Sequence, residues 1–302
     1  MIAPALTDNK FLPLISYTEK AKEKYGSSAA SIVIIQDNKI LTEWYSGKHH
    51  FKNGSLAVTT DSMFNLYSLR KTYVGFATAI AVVESKMSID CKVSDVLTKF
   101  PEYELGNTTI RDLATKSGAK YFGPKRIERE EVACELIKKL TGYNIAELLT
   151  KRIFKPMKLT DTEWISVHTE KLVCDFQAAD GYASVRIESN EGHERNLYSS
   201  ARDLAQWGNL HLNRGLINHN ELVPVEVFRL VDQLRIDTED KNRIFGWYYQ
   251  DKCYYASGAA GCHCVIVPEL NAVGVRMLNK YTEDYTEDQN YFNETFYKCL
   301  QA

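Results

Sequence analysis

Phe64-Asn65-Leu66-Tyr67-Ser68-Leu69-Arg70-Lys71 is the stretch on which the reading of this chain turns. It sets a serine hydroxyl and a lysine amine three residues apart, at the head of a long apolar segment. On a helix, positions i and i+3 share a face, so the amine can reach the hydroxyl oxygen. Serine becomes a nucleophile only when a neighbouring base takes its proton. The competing reading is a plain helix start, since serine is favoured as an N-cap. Lys71 fits that reading poorly, because the helix dipole disfavours a cation in the first turn. The residues that follow, Val74, Phe76, Ala77, Ala79, Ile80, Val82 and Val83, are apolar on nearly all sides, the pattern of a buried helix. A lysine buried at a positive helix end has a lowered pKa and can serve as a base near neutral pH. A second Ser-x-x-Lys, Ser117/Lys120, is followed by Gly118 and reads as a loop.

The surrounding chain is globular in composition: 302 residues, 44% hydrophobic and 25% charged, enough to bury a substantial core. A formal net charge of -2 argues against nucleic acid as partner. No apolar run reaches the ~18 residues of a membrane span, and Met1–Phe11 lacks the apolar centre of a signal peptide. A cytoplasmic protein is the expectation. Seven cysteines without regular spacing suggest reduced, buried thiols and no disulfide framework.

Residues 10–25 read as an amphipathic helix ending at Gly26. Ser31–Ile35 and Ile40–Tyr45 read as a hairpin around Asp37-Asn38. Residues 92–240 look mainly helical, with helical periodicity over Glu130–Leu140, Ile145–Phe154 and Ser200–Leu212. Strands return at Phe245–Tyr249, Cys262–Val267 and Ala272–Leu278, and Asn290–Leu300 closes the chain as a helix. Strands at both ends with helices between them imply an α+β fold: one antiparallel sheet built from both termini and flanked by helices. The expected organisation is a single domain over 1–302. Residues 1–63 and 241–302 supply the sheet, and 64–240 supply a mainly helical part.

Several further segments, in order, carry a resemblance. Phe64-x-x-x-Ser68-x-x-Lys71 resembles the nucleophile motif of the serine β-lactamase and penicillin-binding-protein-like hydrolases. Within that family the match is to the branch of class C β-lactamases, esterases and 6-aminohexanoate-dimer hydrolases. Ile110–Gly118 is similar to that family's "TIRDLLTHTSG" loop. Leu140-Thr141-Gly142 with Ile153–Thr162 is similar to its "TG … IFxPLGMxxT" segment, and Leu197–Ala205 to its "GLYSTARDLA" helix start. Gly258–Gly261 with Val267–Leu270 resembles its last active-site strand and the turn after it. The match runs from about residue 30 to residue 300, and several ordered motifs are far more specific than one.

The resemblance implies a β-lactamase-like fold and a set of roles. Ser68 would attack a carbonyl and form an acyl-enzyme, with Lys71 taking or sharing its proton. The oxyanion would rest on the backbone N–H groups of Ser68 and Ala259. Two departures matter. The family's Tyr-x-Asn motif falls by spacing on Lys125-Arg126-Ile127, which holds neither residue. Tyr121 is the nearest tyrosine and the candidate proton relay. Lys125 is a candidate substrate contact, beside the simpler reading of a solvated lysine in a charged run. The family's third motif, Lys-Thr-Gly or His-x-Gly, falls on Ala256-Ser257-Gly258, so its cation is missing. Ser257 and Gly258 would then line the site without a charge for a substrate carboxylate. Small esters and amides become the expected substrates in place of β-lactams or peptidoglycan.

Other candidates have plain readings. Cys262-His263-Cys264 resembles a metal fragment, but in a strand only alternate residues face the same way, no second ligand pair lies nearby, and structural zinc needs four ligands. Tyr198 reads as packing beside a helix start, and His49-His50 as an exposed turn. No metal or organic cofactor is expected. The expected partner is a small acyl substrate, with neither nucleic acid nor membrane, and the oligomeric state is left open. Three functions stay in view: a serine hydrolase on an ester or amide, a transacylase of small-molecule biosynthesis, and a catalytically inactive binding descendant.

Overall fold

The structure is a computed structural model describing residues 7–100, 102–115, 120–177, 189–217, 220–237 and 243–302. Ala29–Gln36 (β1) and Lys39–Gly47 (β2) form a hairpin. Its turn residues Asp37 and Asn38 take φ of 50° and 60°, the left-handed pair whose twist matches two antiparallel strands. Five C-terminal strands join it: Arg243–Ile244 (β3), Trp247–Tyr249 (β4), Tyr254–Gly258 (β5), Cys262–Val267 (β6) and Ala272–Leu278 (β7). The seven-stranded sheet runs β3-β4-β5-β6-β7-β1-β2, antiparallel throughout. Both chain ends thus build one sheet, as the sequence implies.

Five helices cover the sheet or flank the site: Leu12–Tyr25 (α1), Lys71–Glu84 (α2), Arg129–Thr141 (α3), Ala201–Leu212 (α4) and Tyr285–Gln301 (α5). Alternation along β1 divides the core. Ile32 and Ile34 pack with Leu14 of α1 and with Phe292 and Phe296 of α5. Val33 and Ile35 point the other way, into the larger core of α2 and α4. Because helices cover both faces, β1 is apolar and buried almost without interruption. α2 is the centre of that larger core, where Tyr73 stacks on Trp207 of α4 with ring centroids 4.0 Å apart. Stacked and packed aromatics of this kind contribute beyond the area they bury.

Three local readings change. The segment read as the strand Phe245–Tyr249 is broken by a turn, where Phe245 and Gly246 take φ of 46° and 87°. A Cβ on Gly246 would lie 2.5 Å from the carbonyl carbon of Lys71, so only glycine lets this β3–β4 turn sit on the start of α2. The helix expected from Ser68 begins at Lys71, and Tyr67–Arg70 forms a tighter 3-10 turn before it. His49, expected in an exposed turn, is buried, with Nε2 2.8 Å from Ser62 Oγ. The chain after β2 folds back over it, and the His49 N–H donates to the Leu56 carbonyl.

On β6, Cys262 and Cys264 are buried in the α2/α4 core while His263 faces α5 and meets Asp288, as strand alternation requires. All seven cysteines are free. Among the described residues no helix is long and apolar enough to cross a membrane.

Candidate active site

Tyr67 sets the geometry of the nucleophile turn. Its φ of 47° is rare for a bulky side chain. The conformation is held from both sides: Asn65 Oδ1 accepts the Tyr67 N–H at 2.9 Å, and the Leu66 N–H donates to Leu197 O at 2.9 Å. The sharp bend buries Leu66, Tyr67, Leu69 and Arg70 and leaves Ser68 exposed among them. The Ser68 side chain caps neither the 3-10 turn nor α2, and its hydroxyl has no hydrogen-bond partner among the described residues. The helix-cap reading of Ser68 therefore does not hold.

Lys71 opens α2, with 22% of its side chain exposed, and its Nζ lies 3.8 Å from Glu130 Oε1. Burial lowers its pKa to about 8, against the opposing pull of Glu130. The positive charges of Arg243, Arg70 and Lys120 push it further down. Glu130, in the first turn of α3, is nearly buried. Burial pushes its carboxyl up, but Arg70 and then Lys71 outweigh that and hold it below the usual range. The ion pair alone would raise the lysine; desolvation wins, because a charged amine loses more by leaving water than one carboxylate at this distance returns.

Sequence reasoning missed Glu130, which it placed in a charged, solvated run. A signal was present. Glu130, Ala133, Cys134 and Ile137 follow i, i+3, i+4, i+7, and all four are buried on one face of α3.

The end of β5 reaches the same turn. A Cβ on Gly258 would lie 2.2 Å from the Leu66 carbonyl oxygen and 3.4 Å from Tyr67 Cβ. Glycine there lets the strand press directly against the two residues before Ser68. Ser257, half-buried, pairs with His263 on β6. Ala259 follows in a turn closed by the Gly261 N–H on Gly258 O at 2.9 Å, and its carbonyl accepts the Thr282 N–H at 3.3 Å. Ser257, Gly258 and Ala259 are thus brought to the strand end beside the Ser68 turn.

Tyr121 and Lys125 lie on a small hairpin, Tyr121–Phe122 paired with Ile127–Glu128. The Tyr121 ring sits between Lys120 Nζ, 4.9 Å from its centroid, and the Arg126 guanidinium, 4.4 Å away. The neighbouring Lys120 lowers the pKa of its hydroxyl, and Arg126 acts in the same direction. Among the described residues no hydrogen bond joins Tyr121 to Ser68 or Lys71. The hairpin nevertheless borders the site: the Lys120 charge acts on Lys71, and its second strand runs straight into Glu130. Lys125 is exposed at the hairpin turn. Tyr198 is buried with Met63, Ile165 and Leu172, a packing role. Ser117 of the second Ser-x-x-Lys lies outside the described residues.

Among the described residues, Cys134, Glu191 and His193 bring three potential ligand atoms within 4.8 Å of one another. The Lys138 ammonium already holds Glu191, at 2.5 Å, and supplies the cation there.

With this geometry in view, comparisons with known proteins agree with one another. The family model described as Beta-lactamase matches residues 14–133 and 130–294. An uncharacterized protein of Alkalihalophilus pseudofirmus is 30% identical over 334 aligned positions, covering 98% of each chain. Among solved structures, a penicillin-binding protein homolog from Caulobacter crescentus superposes with a TM-score of 0.75 at 14% identity, covering 97% of this chain and 98% of that one. The hydrolase EstCE1, described as having promiscuous acyltransferase activity, superposes with a TM-score of 0.72 at 12% identity, covering 95% and 98%. At such identities these structures establish the fold: an α+β, β-lactamase-like architecture.

Proposed function

This chain belongs to the Beta-lactamase family of serine hydrolases, and on that premise we propose that it cleaves a small ester or amide through an acyl-enzyme on Ser68. One observation carries the reading: a solvent-open serine stands one helical turn from a mostly buried lysine whose pKa lies near neutrality. Neutral Lys71 takes the Ser68 proton as Oγ attacks the carbonyl carbon. The oxyanion that forms accepts hydrogen bonds from the N–H groups of Ser68 and Ala259, each worth roughly 3 kcal/mol of barrier. Protonated Lys71 then returns its proton to the departing alkoxide or amine. Water repeats the sequence on the acyl-enzyme, with Lys71 again as base. Glu130 holds the Lys71 charge and tunes its pKa.

The position of the family's strand cation is Ala256 here. Uncharged esters and amides suit that strand better than carboxylate-bearing lactams.

The test is covalent labelling. A fluorophosphonate or an activated ester is expected to add one adduct mass to the wild type and none to Ser68→Ala. A wild type that stays unlabelled after long incubation overturns the proposal and supports a binding protein descended from an enzyme. A second reading, acyl transfer, is favoured by the exposure of Ser68, which leaves an acyl group within reach of an amine or alcohol. Labelling without turnover until an amine is added would select it.

A further inference from the structure

We propose that Tyr67, Phe176 and Tyr281 form an acyl-group subsite that selects substrates whose acyl part ends in a flat aromatic ring. The inference rests on Ser68 as the nucleophile and adds the substrate class. The Tyr67 ring stacks on Phe176 with centroids 4.9 Å apart and planes at 22°, and Phe176 meets Tyr281 at 5.6 Å and 52°. The three rings come from three separate segments, each fixed by its own hydrogen bonds.

Tyr67 immediately precedes Ser68 and holds a backbone conformation that a bulky residue adopts only when its surroundings enforce it. Phe176 ends a segment pinned by the Val173 N–H on Met63 O at 2.9 Å and the Cys174 N–H on His49 O at 3.0 Å. Asn279, just after β7, donates to Cys174 O at 2.7 Å, and its own N–H is held by Ser27 Oγ. Tyr281 follows two residues later. The next residue, Thr282, donates to the carbonyl of Ala259, so the chain that carries the outermost ring passes beside the proposed oxyanion donor.

Exposure rises along the row: Tyr67 is buried, Phe176 half-buried, and Tyr281 is 47% exposed. Such a row is a wall with its floor beside the nucleophile and its rim in solvent. A ring laid along it gains offset stacking as well as apolar burial.

The side of the scissile bond follows from Lys71. The leaving group takes its proton from that amine, whose surroundings beyond its own Tyr67–Arg70 turn are α3, the 121–128 hairpin and the β3–β4 turn. None of those elements supplies one of the three rings. The rings therefore border the acyl half.

Ethyl esters, which have no ring in the leaving group, provide the test. In a pH-stat, ethyl phenylacetate is expected to exceed ethyl acetate in kcat/KM by about tenfold or more, chiefly through KM. Phe176→Ala and the surface change Tyr281→Ala are each expected to shrink that ratio. A wild-type ratio near one, or a ratio that survives both changes, overturns the subsite. Calorimetry on Ser68→Ala separates this inference from the one beneath it, with phenylacetamide and acetamide as probes. Tighter binding of the aromatic amide, weakened by Phe176→Ala, supports the subsite even if no ester is hydrolysed. Equal binding of the two amides overturns it whatever the activity.

Discussion

Glu130 Oε1 and Lys71 Nζ stand 3.8 Å apart, each held in the first turn of its own helix. The two helix dipoles treat them oppositely: a carboxylate is favoured at a helix N-terminus and a cation is disfavoured. Arg70 and Lys71 hold Glu130 ionised against its burial, while burial leaves Lys71 with a pKa of about 8. A base that is partly neutral at physiological pH follows from the burial of Lys71, opposed by this pairing, and the first two predictions rest on that balance.

If neutral Lys71 is the base, kcat/KM should fall about tenfold per pH unit below a limb near pH 8 and level off above it. A series of kcat/KM values from pH 5.5 to 10 reads the limb directly. A flat profile would exclude Lys71 as the titrating group. Lys71→Ala should lower turnover about 100-fold or more.

Glu130→Gln removes the carboxylate that opposes the fall of the Lys71 pKa. The limb should therefore move to lower pH, while the protein remains folded. Circular dichroism and the same pH series check both halves. A limb that stays in place would show that Glu130 does not act on Lys71.

Tyr121 carries a hydroxyl made more acidic by Lys120, whereas Lys125 is an exposed side chain at a turn. Tyr121→Phe is expected to lower kcat about tenfold or more and Lys125→Ala less than about twofold. Equal, small effects in steady-state kinetics would leave proton transfer to Lys71 alone.

Gly258→Ala places a methyl group 2.2 Å from the Leu66 carbonyl oxygen, and backbone cannot yield as a side-chain tip can. Destabilisation of about 1–3 kcal/mol is expected, together with a fall in kcat as the β5 end moves off the Ser68 turn. Thermal melts and steady-state rates test it. An unchanged melting temperature with full activity would show that β5 does not fit as described.

Asp288, on α5, is a buried anchor. Burial pushes its carboxyl up, but hydrogen bonding and charge from Arg276, aided by His263, hold it well below the usual carboxylate range. A depressed folded-state pKa contributes stability that is complete above the unfolded value of about 3.9 and is lost as pH falls through the folded one. Asp288→Asn should cost about 3–5 kcal/mol at pH 7 and flatten the acid limb of stability. Urea melts at pH 7 and pH 3 measure both.

What the sequence determined by itself was local or ordered along the chain. The β1–β2 hairpin was legible from alternating apolar residues around Asp37-Asn38, and β6 and β7 from their apolar runs. α2 was legible from unbroken apolarity, and the Ser68–Lys71 pair from spacing. Periods of 2 and 3.6 residues are properties of neighbouring positions, so one strand of text suffices to read them.

The tertiary structure decided which distant segments share a site. It alone brought Glu130 to Lys71 and Arg195 to Glu128 of the 121–128 hairpin. It also buried His49 under a returning chain and stacked Phe176 on Tyr67. Each of these is a contact between residues remote in sequence. Its energy depends on burial and on the partner's charge or ring, and no local pattern encodes either. Glu130 shows the boundary most clearly: its position on the buried face of α3 was written in the sequence, but that a lysine would stand opposite it was settled only by folding.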